Sequence, residues 1–93
     1  MLMAPHMAGG PILYAATLHV DAAMNNFLIQ ETHGLDHFDR CVEHNWIVQD
    51  GYVNVTQRQG LGIEVKEQDI AGFPYEPLPY RQYRHADGSW KGW

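Results

Sequence analysis

The chain has 93 residues, 45% of them hydrophobic and 18% charged, a composition that excludes a disordered tail and allows one small domain or a piece of a larger one. Its formal charge is −5 and its six Lys and Arg residues stand singly, so there is no cationic surface to neutralise phosphates, and nucleic acid is excluded as an expected partner. No apolar run approaches the roughly 18 residues of a membrane span, and Cys41 is the sole cysteine, which rules out an internal disulfide and fits a reducing cytoplasm.

Residues 2–4 form a short apolar run that stops at Pro5, the pattern of a buried strand end. The run begins at the first residue with no basic leader or cleavage pattern before it, so no targeting segment is expected and the start resembles that of a truncated chain. Gly9-Gly10-Pro11 breaks the chain, and Pro11 at a first helical turn predicts a helix over 11–24, because the missing N–H would be unpaired there anyway. That helix has little polar face, which predicts packing on more than one side. Asn25-Asn26 supplies its stop, Asn tolerating the left-handed conformation. Phe27-Leu28-Ile29 is a second short apolar run ending in Gln30-Glu31.

Two continuously apolar strands joined by a helical crossover are the signature of parallel pairing in an α/β fold. Two parallel strands cannot cover themselves, so the remainder of a barrel or open sheet is expected outside this chain. Beyond Glu31 the expectations are a polar loop with a short helix at 35–43, then a hairpin of 47–49 with 52–55 turning on Asp50-Gly51, a pair that accepts the positive φ angles of a tight turn. A strand at 63–65 and an irregular tail with Pro74, Pro77 and Pro79 follow.

Reactive residues in parallel α/β folds gather at the carboxyl ends of strands. His6 lies just past the first strand and Glu31 just past the second, so both point toward one rim as an acid/base pair suited to proton abstraction. The same two residues also read as a loop histidine bonded to backbone and a solvated strand end. His33 and His37, four apart, could share a helix face, but no further ligands converge on them and they read as solvated. His19 and Asp21 read as structural residues within the helix.

Several stretches carry a resemblance. Ala4-Pro5-His6, Gly10-Pro11-Ile12, Leu18-His19-Val20-Asp21 and Asn26-Phe27-Leu28-Ile29-Gln30-Glu31 are similar to the last barrel unit of the mandelate racemase and muconate lactonizing group of the enolase superfamily. Asp50-Gly51-Tyr52-Val53, Gly60-Leu61-Gly62-Ile63-Glu64-Val65, and Arg84-His85 with Trp93 extend the match in the same order. Within the group the chain is most similar to the galactonate dehydratases. The resemblance implies the C-terminal fragment of a (β/α)7β TIM-like barrel, residues 1–31 being its last strand-helix-strand unit. Residues 32–93 would then be a C-terminal loop, hairpin and tail packing on the barrel and a capping domain.

The same resemblance implies a Mg²⁺-dependent sugar-acid dehydratase. His6 would be the base that removes the proton α to the carboxylate, and Glu31 the acid that stabilises the transition state. Loss of the 3-hydroxyl would leave a 2-keto-3-deoxy acid. The Mg²⁺ ligands, a second catalytic histidine and the aspartate that orients the base are expected upstream, and none in this chain. Where relatives commonly carry Cys-Pro-Leu after the histidine, this chain has Met7-Ala8-Gly9, which bears on substrate identity. A racemase or epimerase of the same superfamily, or a truncated non-catalytic chain, is the alternative. A sugar acid is the expected substrate, the full-length protein is expected to be a homo-oligomer, and the 93 residues alone are expected to be inactive. The tail residues Tyr75, Tyr80, Tyr83, Trp90 and Trp93 read as a surface docked on another part of the protein rather than a base-stacking platform.

Overall fold

Gly10 caps the first helix from an extended conformation, and Pro11 occupies its first turn, so α1 runs from Pro11 to Ala23 as the sequence predicts. In the computed structural model, residues 1–77 and 83–91 are described. The helix ends differently from the expectation. Asn25 and Asn26 form a turn, but Asp50 is the only described non-glycine residue with positive φ. Met24 instead takes an extended conformation and closes the last turn with a bond from its N–H to the Asp21 carbonyl.

On either side of α1 the chain pairs with itself in parallel. Met3 and Phe27 form a bridge, with the Met3 N–H donating to Asn26 O and the Leu28 N–H to Met3 O, each at 2.8 Å. This is the expected strand-helix-strand unit reduced to its minimum, because a strand pair with no neighbours on its outer edges is held by only a bridge. Leu28 and Ile29 are exposed, as a strand buried by sheet and helices would not be.

The expected helix at 35–43 is only a 3-10 turn, Phe38–Arg40, so His33 and His37 do not share a helix face. The chain then enters β1, Val42–Glu43, a strand the sequence reading did not predict. The hairpin forms where Asp50-Gly51 indicated: β2 (Val48–Gln49) pairs antiparallel with β3 (Tyr52–Val53). Asp50 at φ 53° and Gly51 at φ 81° supply the two positive angles of a type I′ turn. The predicted strand at 63–65 appears as β4, Glu64–Val65, antiparallel to β1 with Val42 opposite Val65. A helix, α2 (Glu67–Ala71), stands where an irregular tail was expected. Glu67 and Asp69 in its first turn favour the positive end of the helix dipole. Among the last described residues, Arg84 and Trp90 bridge antiparallel, while Tyr80, Pro79 and Trp93 lie outside the described residues.

One core organises these pieces. Tyr14, Ala15 and Leu18 from one face of α1 meet Met7, Phe38, Val42 and Trp46. Tyr14 packs edge-on against Trp46, ring centroids 5.0 Å apart, and lies tilted against Phe38 at 5.9 Å, arrangements that aromatic quadrupoles favour. The opposite face of α1 is only partly covered by the described residues, and Ile12, Leu13 and Val20 are about half exposed. The packing on several sides predicted from the helix's composition is therefore not completed within the described residues.

The global dimensions agree. The radius of gyration is 17.0 Å, against about 12 Å for a compact chain of this length. The accessible surface is 7694 Å², where a globular monomer of this mass exposes about 5,500 Å².

Candidate active site

His6 and Glu31 meet as the strand spacing predicts. The parallel bridge at Met3 and Phe27 sets the two segments in register, and three to four residues further on each delivers its side chain to the same rim. The His6 Nδ1 lies 2.8 Å from Glu31 Oε2. That same oxygen accepts the Met7 backbone N–H at 2.6 Å, so Glu31 is pinned by the loop that carries His6. Gln30 adds a second tie by donating to its neighbour's carbonyl at Glu31 and, more weakly, to the Pro5 carbonyl at 3.5 Å.

The Met7 N–H bond is the main reason the Glu31 carboxyl titrates below the ordinary glutamate range. Partial desolvation opposes it, while His6 and, more distantly, His33 add to it. Glu31 is therefore an anion at neutral pH and accepts a proton-bearing Nδ1 from His6. That contact selects the tautomer in which Nε2 holds the lone pair. The His6 side chain is 79% exposed, so Nε2 faces outward, free to take a proton from a molecule above the rim. Sequence reasoning paired Glu31 with His6 on one rim, but it did not foresee that Met7 would contribute through its backbone, which no residue-type pattern can reveal.

Four other histidines divide by their contacts. His19 donates from Nδ1 to the Ala15 carbonyl at 2.8 Å one turn back, a structural role as expected. His33 and His37 are exposed, with His37 edge-on to Phe38 at 4.4 Å. His44 accepts the Trp46 N–H on Nδ1, stacks on the Trp46 ring, and presents Nε2 to Asp39 Oδ1 at 2.9 Å. Among the described residues no three His, Cys, Asp or Glu side chains are grouped to hold a metal ion. The His6–Glu31 pair does not fit one either, since Glu31 Oε2 and His6 Nδ1 already bind each other. No helix of the described residues is long and apolar enough to cross a membrane.

The chain thus has a helix between two segments bridged in parallel, a contact of His6 with Glu31 beyond that bridge, and two small antiparallel pairs after it. Residues 1–69 match the family described as enolase C-terminal domain-like, and the chain belongs to that family. Its similarity to individual members covers nearly the whole chain. It is 42% identical over 84 residues to a D-galactonate dehydratase family member of Streptomyces bingchenggensis, covering 89% of this chain and 20% of the relative. The D-galactonate dehydratases of Variovorax paradoxus and Cronobacter sakazakii are 33% and 32% identical, covering 97% and 98% of this chain and 26% of each relative. The chain thus spans a fifth to about a quarter of the length of these relatives.

Proposed function

We propose that this chain supplies the base-bearing end of a sugar-acid dehydratase, completed by an upstream barrel that carries the metal. Residues 1–31 are its last strand-helix-strand unit, and residues 32–93 are the loop, hairpin and tail that pack on the barrel and a capping domain. The observation that carries this reading is the His6–Glu31 contact at the carboxyl ends of two segments bridged in parallel, in a chain similar over nearly its whole length to proteins named D-galactonate dehydratase.

In this reading His6 Nε2 removes the proton α to the substrate carboxylate. Glu31, held anionic by Met7, keeps Nδ1 protonated and aimed, and balances the charge His6 gains. The hydroxyl on the adjacent carbon then leaves as water with a proton from the second histidine expected upstream, His6 returns its proton to solvent, and the resulting enol tautomerises to a 2-keto-3-deoxy acid. A proton α to a carboxylate is too weakly acidic for imidazole alone, so the developing dianion needs a cation. The described residues hold no group that fits a metal site, and Mg²⁺ with its ligands is assigned to the upstream part. By the same argument the isolated 93 residues are inactive. A cytoplasmic homo-oligomer is the expected setting, and the exposed Tyr75 and Trp90 are suited to burial against the cap or a second subunit.

The test is a full-length chimera in which this chain replaces the matching segment of the Variovorax paradoxus D-galactonate dehydratase. Galactonate dehydration in Mg²⁺ is the expected result, and a folded chimera that does not dehydrate galactonate sinks the proposal. Exchange of the α-proton with solvent deuterium, followed by mass spectrometry, reads the first step by itself. Exchange without elimination would favour the racemase or epimerase alternative.

A further inference from the structure

Asp21 is the one buried acid in α1, and both of its carboxylate oxygens are without a hydrogen-bond partner among the described residues. Its side chain comes from the same helical face as Tyr14 and Leu18, and it lines a cavity of about 280 Å³. The cavity lies between α1, the segment Phe27–Gln30 and the hairpin, and apart from Asp21 its walls are largely apolar, with Leu18, Leu28, Val48 and Val53 among them. Burial raises the Asp21 carboxyl above its ordinary range, and among the described residues nothing offsets that. The neighbouring Tyr14 hydroxyl is pushed up by its own burial and by the Asp21 charge, against a bond with Thr32.

An isolated carboxylate in apolar surroundings is costly, and proteins retain one when a donor or cation meets it. The volume is just below the roughly 300–1,000 Å³ of small-molecule sites, and at about 30 Å³ per water it has room for one long side chain. The walls are themselves unfinished, because Leu28, Ile29, Val48 and Tyr52 are well exposed. A free small cation would leave those walls bare, whereas a segment of protein would cover them and fill the cavity in one step. The curated relatives are about four to five times as long as the stretch matched here, which supplies such a segment.

We propose that this cavity is the seat of an upstream barrel segment, apolar along its length and carrying one Lys or Arg whose cationic head pairs with Asp21. Asp21 is then a docking residue, remote in role from His6 and Glu31. It fixes the rotation of α1 against the upstream barrel, because a charge pair in an apolar wall tolerates one register where apolar contacts alone tolerate several. The inference rests on the upstream barrel of the proposed function but not on the reaction it performs.

The same chimera tests it, with melting temperature at pH 7 as the readout and galactonate dehydration measured separately. If a cation meets Asp21, Asp21→Asn strands that cation in the wall and lowers the melting temperature by about 5 °C or more. If the carboxylate is unpaired, the same substitution removes a buried charge and leaves the melting temperature unchanged or raised, which overturns the proposal. A crystal structure of the chimera closes the question: a Lys or Arg nitrogen within about 4 Å of the Asp21 carboxylate is expected, and water or an unfilled cavity there overturns it. A chimera that does not fold overturns the docking. One that folds with a paired Asp21 but does not act on galactonate leaves the docking standing and removes the function.

Discussion

At the scale of single residues, the proposed roles of His6 and Glu31 separate by atom, because Glu31 holds one imidazole nitrogen of His6. In the full-length chimera His6→Asn keeps the hydrogen bond to Glu31 and removes the base. It should lower turnover and α-proton exchange together by about 10²- to 10⁴-fold, with the melting temperature unmoved. An equal loss of stability would make His6 structural instead. The Glu31 carboxyl can be followed by NMR titration. Its midpoint should lie below the ordinary value for glutamate, and because the Met7 N–H is the leading cause, His6→Ala should leave most of the depression in place. A full return to the ordinary range in that variant would mean that His6, not the backbone, holds the anion.

The depression also sets a pH dependence. Glu31 has a lower pKa folded than unfolded, so its stabilising contribution is present above the unfolded pKa and is lost as the pH falls through the folded one. The link between the His6 loop and the segment that carries Glu31 should therefore persist at neutral pH and open in acid, below the usual glutamate range. Amide exchange at Met7, measured against pH, reports this opening directly.

At the scale of elements, two turns depend on backbone angles that most residues resist. Gly62 sits at φ 73° just before β4, and a Cβ there would overlap the side chain of buried Thr56. Gly62→Ala should cost at least about 1 kcal/mol from the backbone angle alone, and more from the overlap. The cross-strand NOEs between Val42 and Val65 are the signals to lose. Gly51, also at positive φ, has open space around it, so Gly51→Ala should weaken only the β2–β3 hairpin through strain, leaving the Val42–Val65 pairing intact. If both substitutions disturbed both pairings equally, the two small sheets would not be independent.

The legibility of these elements followed how local their causes are. The start of α1 rests on Pro11 and the hairpin on Asp50-Gly51, neighbours in sequence whose preferences need no distant partner. β1 was missed because Val42 and Glu43 pair with Val65 and Glu64, more than twenty residues away, and two residues carry no periodicity. The overcalled helix at 35–43 fails for the complementary reason. Its apolar residues Leu35, Phe38, Cys41 and Val42 fit a helical stripe, but Phe38 and Val42 are both drawn into the core around Trp46, which a 3-10 turn followed by a strand satisfies better.

At the scale of the whole molecule, the chain is open. Among the described residues its core is a cluster of seven, and with a gyration radius of 17.0 Å α1 and the bridged segments are only partly covered on their outer sides. Expressed alone, the 93 residues should melt without a sharp transition and bind a hydrophobic dye, whereas a cooperative calorimetric peak would make the chain an autonomous domain. Trp46 is central to what core there is, touching Tyr14, Phe38 and His44. Trp46→Ala should cost about 3–5 kcal/mol, comparable to all that a core of this size supplies, so its near-UV circular dichroism should vanish.

The sequence by itself determined the parallel strand-helix-strand unit, the hairpin turn and the meeting of His6 with Glu31. Each follows from short-range conformational preference, or from the fixed rule that parallel strands bring their carboxyl ends to one side. The tertiary structure alone decided that Met7 holds Glu31 through its backbone, that Asp21 stands buried without a partner among the described residues, and that one face of α1 is covered and the other half exposed. Those outcomes depend on which groups lie beside one another after folding and on how much of the surrounding protein is there to exclude water, and neither quantity is written in the order of residues along the chain.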